Sequence, residues 1–193
     1  MNRRVMVLGL SAAVALTFGC GQQPKTDQTN IEKSISMGAE AKFPKADSDE
    51  LGTVDYNGIV FDINSGTSVF SQLGEPEDIF EDDKVYEGAI VKYYYYANKD
   101  INIITVDDGS KEQISDIIIN TAAAKLSKGI RVGDTLQAVK AAYGEPDEET
   151  DKDDNNYIAY RNNGCTIWFS FEKNQLSDYM ISSDAIALEY NNY

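Results

Sequence analysis

The chain has 193 residues, 32 of them acidic and 17 basic, for a net charge of −15, and it has no histidine. An apolar share of 42% is enough for a packed core and argues against disorder throughout. The acidity argues against nucleic acid, whose phosphates need clustered Lys or Arg, and the missing His removes Ser-His-Asp and Cys-His catalysis and every His-based metal site.

Arg3 and Arg4 open the chain, an apolar or small-residue run follows from Val5 to Phe18, and Gly19-Cys20 precedes a polar stretch. This is the charged, apolar, small-residue order of an export signal. The run is shorter than the roughly 20 residues that a spanning helix needs. Residues 1–19 therefore resemble a bacterial lipoprotein signal peptide, with Cys20 as the lipidated first residue of the mature chain. The lipobox reads Thr17-Phe18-Gly19-Cys20, with Leu16 one place early. A plain secretory signal cut near Gly19 is the alternative. The resemblance implies a place on the extracytoplasmic face of the cell membrane, held by acyl chains at Cys20. With Cys20 so used, Cys165 has no intramolecular partner, and its apolar strand setting reads as a small buried hydrophobe. Residues 20–52 are polar and acidic without sustained periodicity, and read as a flexible tether.

Beyond the tether an internal repeat organises the chain. Gly74-Glu75-Pro76 recurs as Gly144-Glu145-Pro146. A short helix is expected before each, over 67–73 and over 135–143, from the apolar spacing of Val69, Phe70 and Leu73 and of Leu136, Val139 and Tyr143. Ser65 or Thr67, and Asp134, stand where an N-cap belongs, and Gly74 and Gly144 where a positive φ ends the helix. Strands are expected over 93–96, 101–106 and 114–120, and again over 157–160, 165–171 and 176–182. Gly58 to Ile63 adds a strand or leads into the first helix. Ile114-Ser115-Asp116-Ile117 aligns with Leu176-Ser177-Asp178-Tyr179. Short turns, such as Lys173-Asn174, call for antiparallel hairpins rather than βαβ crossovers. The expected fold is α+β, two tandem repeats, each a short helical segment followed by a three- to four-stranded antiparallel sheet. Residues 53–128 form the first unit and 129–193 the second.

Two stretches carry a family resemblance. One is Gly129-Ile130-Arg131-Val132-Gly133-Asp134-Thr135, leading to Tyr143-Gly144-Glu145-Pro146. The other is Ile167-Trp168-Phe169-Ser170-Phe171 with Leu176-Ser177-Asp178-Tyr179. Together they resemble the beta-lactamase-inhibitory-protein-like fold and, in its single unit, the small lipoprotein of the outer-membrane barrel-assembly machinery. With Tyr86-Glu87-Gly88 and Tyr93 to Tyr96 added, the chain is similar to tandem-form Gram-positive lipoproteins. The resemblance implies a protein-binding surface on the sheet rather than catalysis; a shared fold carries over no partner.

Tyr93-Tyr94-Tyr95-Tyr96 is the most unusual local run. In a strand, Tyr93 and Tyr95 face one side, and Tyr94 and Tyr96 the other. One pair suits the core and the other suits recognition, since Tyr offers large contact area at low rotamer cost. Ile167, Phe169 and Phe171 share a core face, leaving Trp168 beside polar Ser170. Of Tyr179 and Met180, one packs and one is presented. The candidate partner-binding residues are Tyr93, Tyr95, Trp168 and Tyr179. The acidic runs 75–83 and 147–154 read as solvated loops: Asp151 to Asn156 lacks the glycine of a calcium loop, and Asn162 stands where its bidentate Glu belongs. No metal, cofactor or enzymatic motif is recognised. The expected function is a membrane-anchored extracytoplasmic lipoprotein acting as a non-catalytic binding module. Its sheet face would meet an envelope or extracellular protein. The alternative is a lipoprotein that binds a small molecule or cell-wall fragment in a pocket between the two units.

Overall fold

The computed structural model describes residues 51–152, 155–162 and 164–190, all within the second of the chain's two units, Glu40–Tyr193. The signal-like segment, Cys20 and the tether up to residue 50 lie outside the described residues, as do Asp153 and Asp154 of the second acidic run.

A short hairpin comes first. Strands β1 (Val54–Tyr56) and β2 (Ile59–Phe61) are joined by Asn57-Gly58, both at positive φ, as a tight two-residue hairpin turn demands. Strand β7 (Ala124–Leu126) pairs with the other side of β1 and completes a three-stranded sheet. Between them run helix α1 (Ser68–Leu73) and strands β3 (Asp78–Tyr86), β4 (Ala89–Tyr96), β5 (Ile101–Asp107) and β6 (Glu112–Ile119). After β7 come α2 (Leu136–Tyr143), β8 (Glu148–Lys152), β9 (Asn155–Asn162), β10 (Cys165–Glu172), β11 (Gln175–Ser183) and α3 (Asp184–Tyr190). Lys173-Asn174 turns β10 into β11 with positive φ at both residues.

The expected α+β pair of helix-plus-sheet repeats is overturned. The described residues are mostly β, and eight strands form one antiparallel sheet in the order β3-β4-β5-β6-β11-β10-β9-β8. Strands β6 and β11 pair at its centre, from Ile119↔Tyr179 to Asp116↔Ser182. Two separate sheets would have left these strands as edges carrying Ile117, Ile119, Tyr179 and Ile181, and pairing them removes both edges.

The recurring residues encode local devices inside that one sheet. Gly74 and Gly144 end α1 and α2 at φ 82° and 86°, their N–H groups donating to the carbonyls of Phe70 and Lys140. Ile114 to Ile117 and Leu176 to Tyr179 each accompany a β-bulge, at Ile104/Thr105 and at Ser170/Phe171. At these bulges the Ser115 hydroxyl donates to the Ile104 carbonyl and the Ser177 hydroxyl to that of Ser170.

The acidic runs differ from expectation too. Much of each is strand, β3 and β8, and these are the two edges of the large sheet. Charged edge strands discourage pairing with another chain.

Helices α1 and α2 and the small sheet supply the residues that cover one face of the large sheet. Val69, Leu73, Val139, Tyr143, Phe61 and Leu126 pack there against Ile103, Ile117, Ile119, Ile167, Phe169 and Ile181. Each such side chain contributes about 1.5–3 kcal/mol on burial. Thr135 rather than Asp134 caps α2, its hydroxyl accepting from Ala138 N at 3.2 Å, because the Asp134 carboxylate accepts from Arg131 N at 2.9 Å. Helix α3 lies on the opposite face, where Ile186 packs with Ala89, Val91 and Val106.

Candidate functional site

Directly paired residues of neighbouring antiparallel strands project to the same face. One row therefore runs Tyr93, Ile104, Asp116, Ser182, Thr166, Arg161 from β4 to β9. A second runs Tyr95, Asn102, Ile118, Met180, Trp168, Ala159. Between them, on the other side, run Tyr94, Ile103, Ile117, Ile181, Ile167 and Tyr160, the covered face. The first two rows lie on the open face, together with Val91 and Val106 under Ile186 of α3.

Tyr93, Tyr95 and Trp168 all belong to the open face. Tyr95 and Trp168 share a row but stand four strands apart, roughly 19 Å at the usual strand spacing. They do not form one contact point. Tyr179 is set aside, because its row is Tyr96, Ile101, Ile119, Phe169 and Ile158 and it is wholly buried in the core. Met180 takes the open face instead.

Sequence reasoning missed Phe80. It sits on edge strand β3, is 53% exposed, and its ring centre lies 5.8 Å from that of Tyr93. The only signal was an apolar pair, Ile79-Phe80, inside an acidic run. Phe80, Tyr93 and Tyr95 form an aromatic patch at one end of the open face. Asp78 and Asp82 alternate with Phe80 along β3 and share its face.

Toward the middle of the sheet the open face sinks into a cavity of about 630 Å³, lined by residues from both sides of the β6–β11 seam. Trp168 is one wall. Asp116, Thr166, Ser182 and Asp184 supply its polar lining, and Ile186 of α3 an apolar one. The Ser182 hydroxyl donates to Asp116 Oδ1 at 2.6 Å, and the Thr166 hydroxyl to Asp184 Oδ1 at 2.7 Å. Arg161 also lines the cavity, with its guanidinium 2.7 Å from Glu148.

The covered face ends in a polar network beside α1. Phe70 stacks on Tyr94 with ring centres 4.3 Å apart. The Tyr94 and Thr105 hydroxyls both donate to Glu112 Oε1 at 2.7 Å, and Lys92 meets Asp107 at 2.9 Å. Burial, then the bond to Glu112, pushes the Tyr94 phenol above its ordinary range. Cys165 is buried, its Sγ 3.7 Å from the Leu51 carbonyl, and burial pushes the thiol up to about 11. At neutral pH such a thiol stays protonated and a poor nucleophile. Among the described residues no cluster of His, Cys, Asp and Glu is placed to hold a metal ion, and no helix is long and apolar enough to cross a membrane.

No protein-family model matches the chain, and no curated protein does. Three solved structures are similar to it in part. An extracellular protein containing an SCP domain from Bacillus anthracis str. Ames is 12% identical, over 80% of this chain and 52% of that one, with a TM-score of 0.47. A cysteine-rich secretory protein from Staphylococcus aureus subsp. aureus Mu50 is 11% identical over 66% and 47%, with a TM-score of 0.42. A DUF4309 family protein from Bacillus subtilis subsp. subtilis str. 168 is 13% identical over 62% and 78%, with a TM-score of 0.40. The chain spans about half the length of the first two.

Proposed function

We propose that the protein is a membrane-anchored, extracytoplasmic lipoprotein that binds an envelope or extracellular protein, without catalysis, through the open face of its large sheet. The observation that carries this reading is the patch of Phe80, Tyr93 and Tyr95, aromatic side chains at the solvent end of a face whose reverse side holds the core. Such rings are the usual anchors of protein interfaces, because they bury much surface for little rotamer entropy. Asp78 and Asp82 flank them and favour a partner that surrounds an apolar centre with basic side chains. Anchoring rests on the signal-like 1–19 and on Cys20.

The test uses the full chain as bait on a detergent extract of the parent envelope. The triple variant Phe80→Ser, Tyr93→Ser, Tyr95→Ser should lose the captured protein while keeping its circular dichroism. Undiminished capture by a folded triple variant would remove the patch from the function. A second reading, binding of a small molecule or cell-wall fragment, is favoured by the cavity at Trp168.

A further inference from the structure

We propose that the cavity at the β6–β11 seam binds a small organic cation bearing a primary ammonium group, and that Asp116, Asp184 and Trp168 recognise it. The site deepens the small-ligand reading above and does not depend on the aromatic patch. At about 630 Å³ the cavity has the volume of a small-molecule site. Its charge decides the ligand class. Asp116 and Asp184 line it, whereas Arg161, the cation on its wall, is already matched by Glu148 at 2.7 Å.

Each Asp is held in place by a hydroxyl from a neighbouring strand. Ser182 on β11 donates to Asp116 Oδ1, and Thr166 on β10 donates to Asp184 Oδ1. Among the described residues the Oδ2 atom of each accepts no hydrogen bond. Two oriented carboxylates with spare acceptor capacity match the three N–H donors of an ammonium group. Trp168 lines the cavity with an indole, the ring type that attracts a cation best, and with Ile186 it offers apolar surface for the ligand's hydrocarbon body.

Trp168 is the chain's sole tryptophan, so its fluorescence reports on this cavity alone. The full chain is titrated with cadaverine and, separately, with the neutral diol of the same carbon length. Cadaverine should give a saturable emission change that weakens with added salt, and the diol none. The variant Asp116→Asn with Asp184→Asn keeps both hydroxyl acceptors and should weaken binding about tenfold or more. Phe80→Ser should leave the titration unchanged, which separates this site from the docking patch. The proposal is overturned by any of three results: no saturable change with cadaverine, an equal change with the diol or with N-acetylglucosamine, or wild-type affinity in the double Asn variant. Should that variant lose its fold, a wild-type response indifferent to salt overturns it equally.

Discussion

On β4, Tyr94 and Tyr96 turn toward the helices while Tyr93 and Tyr95 turn away, and the two pairs meet different chemistry. Tyr96 is wholly buried, and burial pushes its phenol up to about 12. Tyr94 is clamped between Phe70 and Glu112. Tyr93 is half-buried, packed against the exposed Phe80 ring and the cluster of Ala89, Val91, Val106 and Ile186, and Tyr95 remains 36% exposed. The same residue type in the same strand thus serves packing on one side and presentation on the other. The cause is not the tyrosines themselves but what lies over each face. Two helices and a small sheet serve the covered side, while the open side meets α3, whose Asp184, Ile186 and Ala187 line its cavity.

The comparison breaks most clearly by truncation. Phe169 is wholly buried among Tyr143, Tyr160 and Tyr179. Phe169→Ala should cost roughly 3–5 kcal/mol in urea unfolding. Phe80→Ala, on the open side, should stay within about 0.5 kcal/mol of the parent. Equal losses at the two positions would mean that the open face is covered in solution.

A backbone change on the covered side comes next. Gly144 ends α2 at φ 86° and ψ −153°, a region that only glycine occupies readily. Gly144→Ala should destabilise by about 1–3 kcal/mol, read as a lowered urea midpoint at unchanged slope. No loss would mean that the helix end relaxes to another conformation.

A smaller effect of opposite sign is expected inside the core. The hydroxyls of Tyr96, Tyr143 and Tyr179 are buried without a hydrogen-bond partner among the described residues. Removing an unsatisfied hydroxyl restores nothing to water and leaves no orphan, so Tyr179→Phe should be neutral or stabilise by about 1 kcal/mol. Tyr95→Phe on the open side should change nothing. A clear loss at Tyr179 would show that its hydroxyl has found a partner.

The smallest effect concerns the β5–β6 turn. The Ser110 hydroxyl, followed by the Ser110 and Lys111 N–H groups, holds the Asp108 carboxyl down to about 2. A depressed folded pKa stabilises above the unfolded value, near 4, and that contribution fades as the pH falls through about 2. Nuclear magnetic resonance titration should show the Ser110 and Lys111 amides shifting in that window. Asp108→Asn should abolish the shift.

Much of the large sheet was legible because its signals are local. The two short helices announce themselves by apolar spacing and terminal glycines, and the hairpin at Lys173-Asn174 by its turn residues. Alternation by itself sorts Tyr93 and Tyr95 from Tyr94 and Tyr96. Strands β3 and β8 were hidden because an edge strand needs no apolar face of its own: its carboxylates can point to solvent while its backbone pairs on one side. Phe80 was hidden with them. Strand β1 is only three residues long, and its pairing with β7 joins segments far apart in the chain. Tyr179 and Met180 are adjacent, so alternation could place one inward without saying which.

What the amino-acid sequence determined alone was therefore whatever depends on neighbours along the chain: the two helix ends, the antiparallel hairpins, and which residues within a strand share a face. The tertiary structure decided the rest. It joined β6 to β11, so that eight strands became one sheet. It chose the face that the helices cover, and it carried Asp116 and Trp168 to one cavity from opposite sides of the seam. The physical reason is that local rules govern φ, ψ and alternation, whereas the burial of two apolar strand edges is satisfied only when distant segments meet.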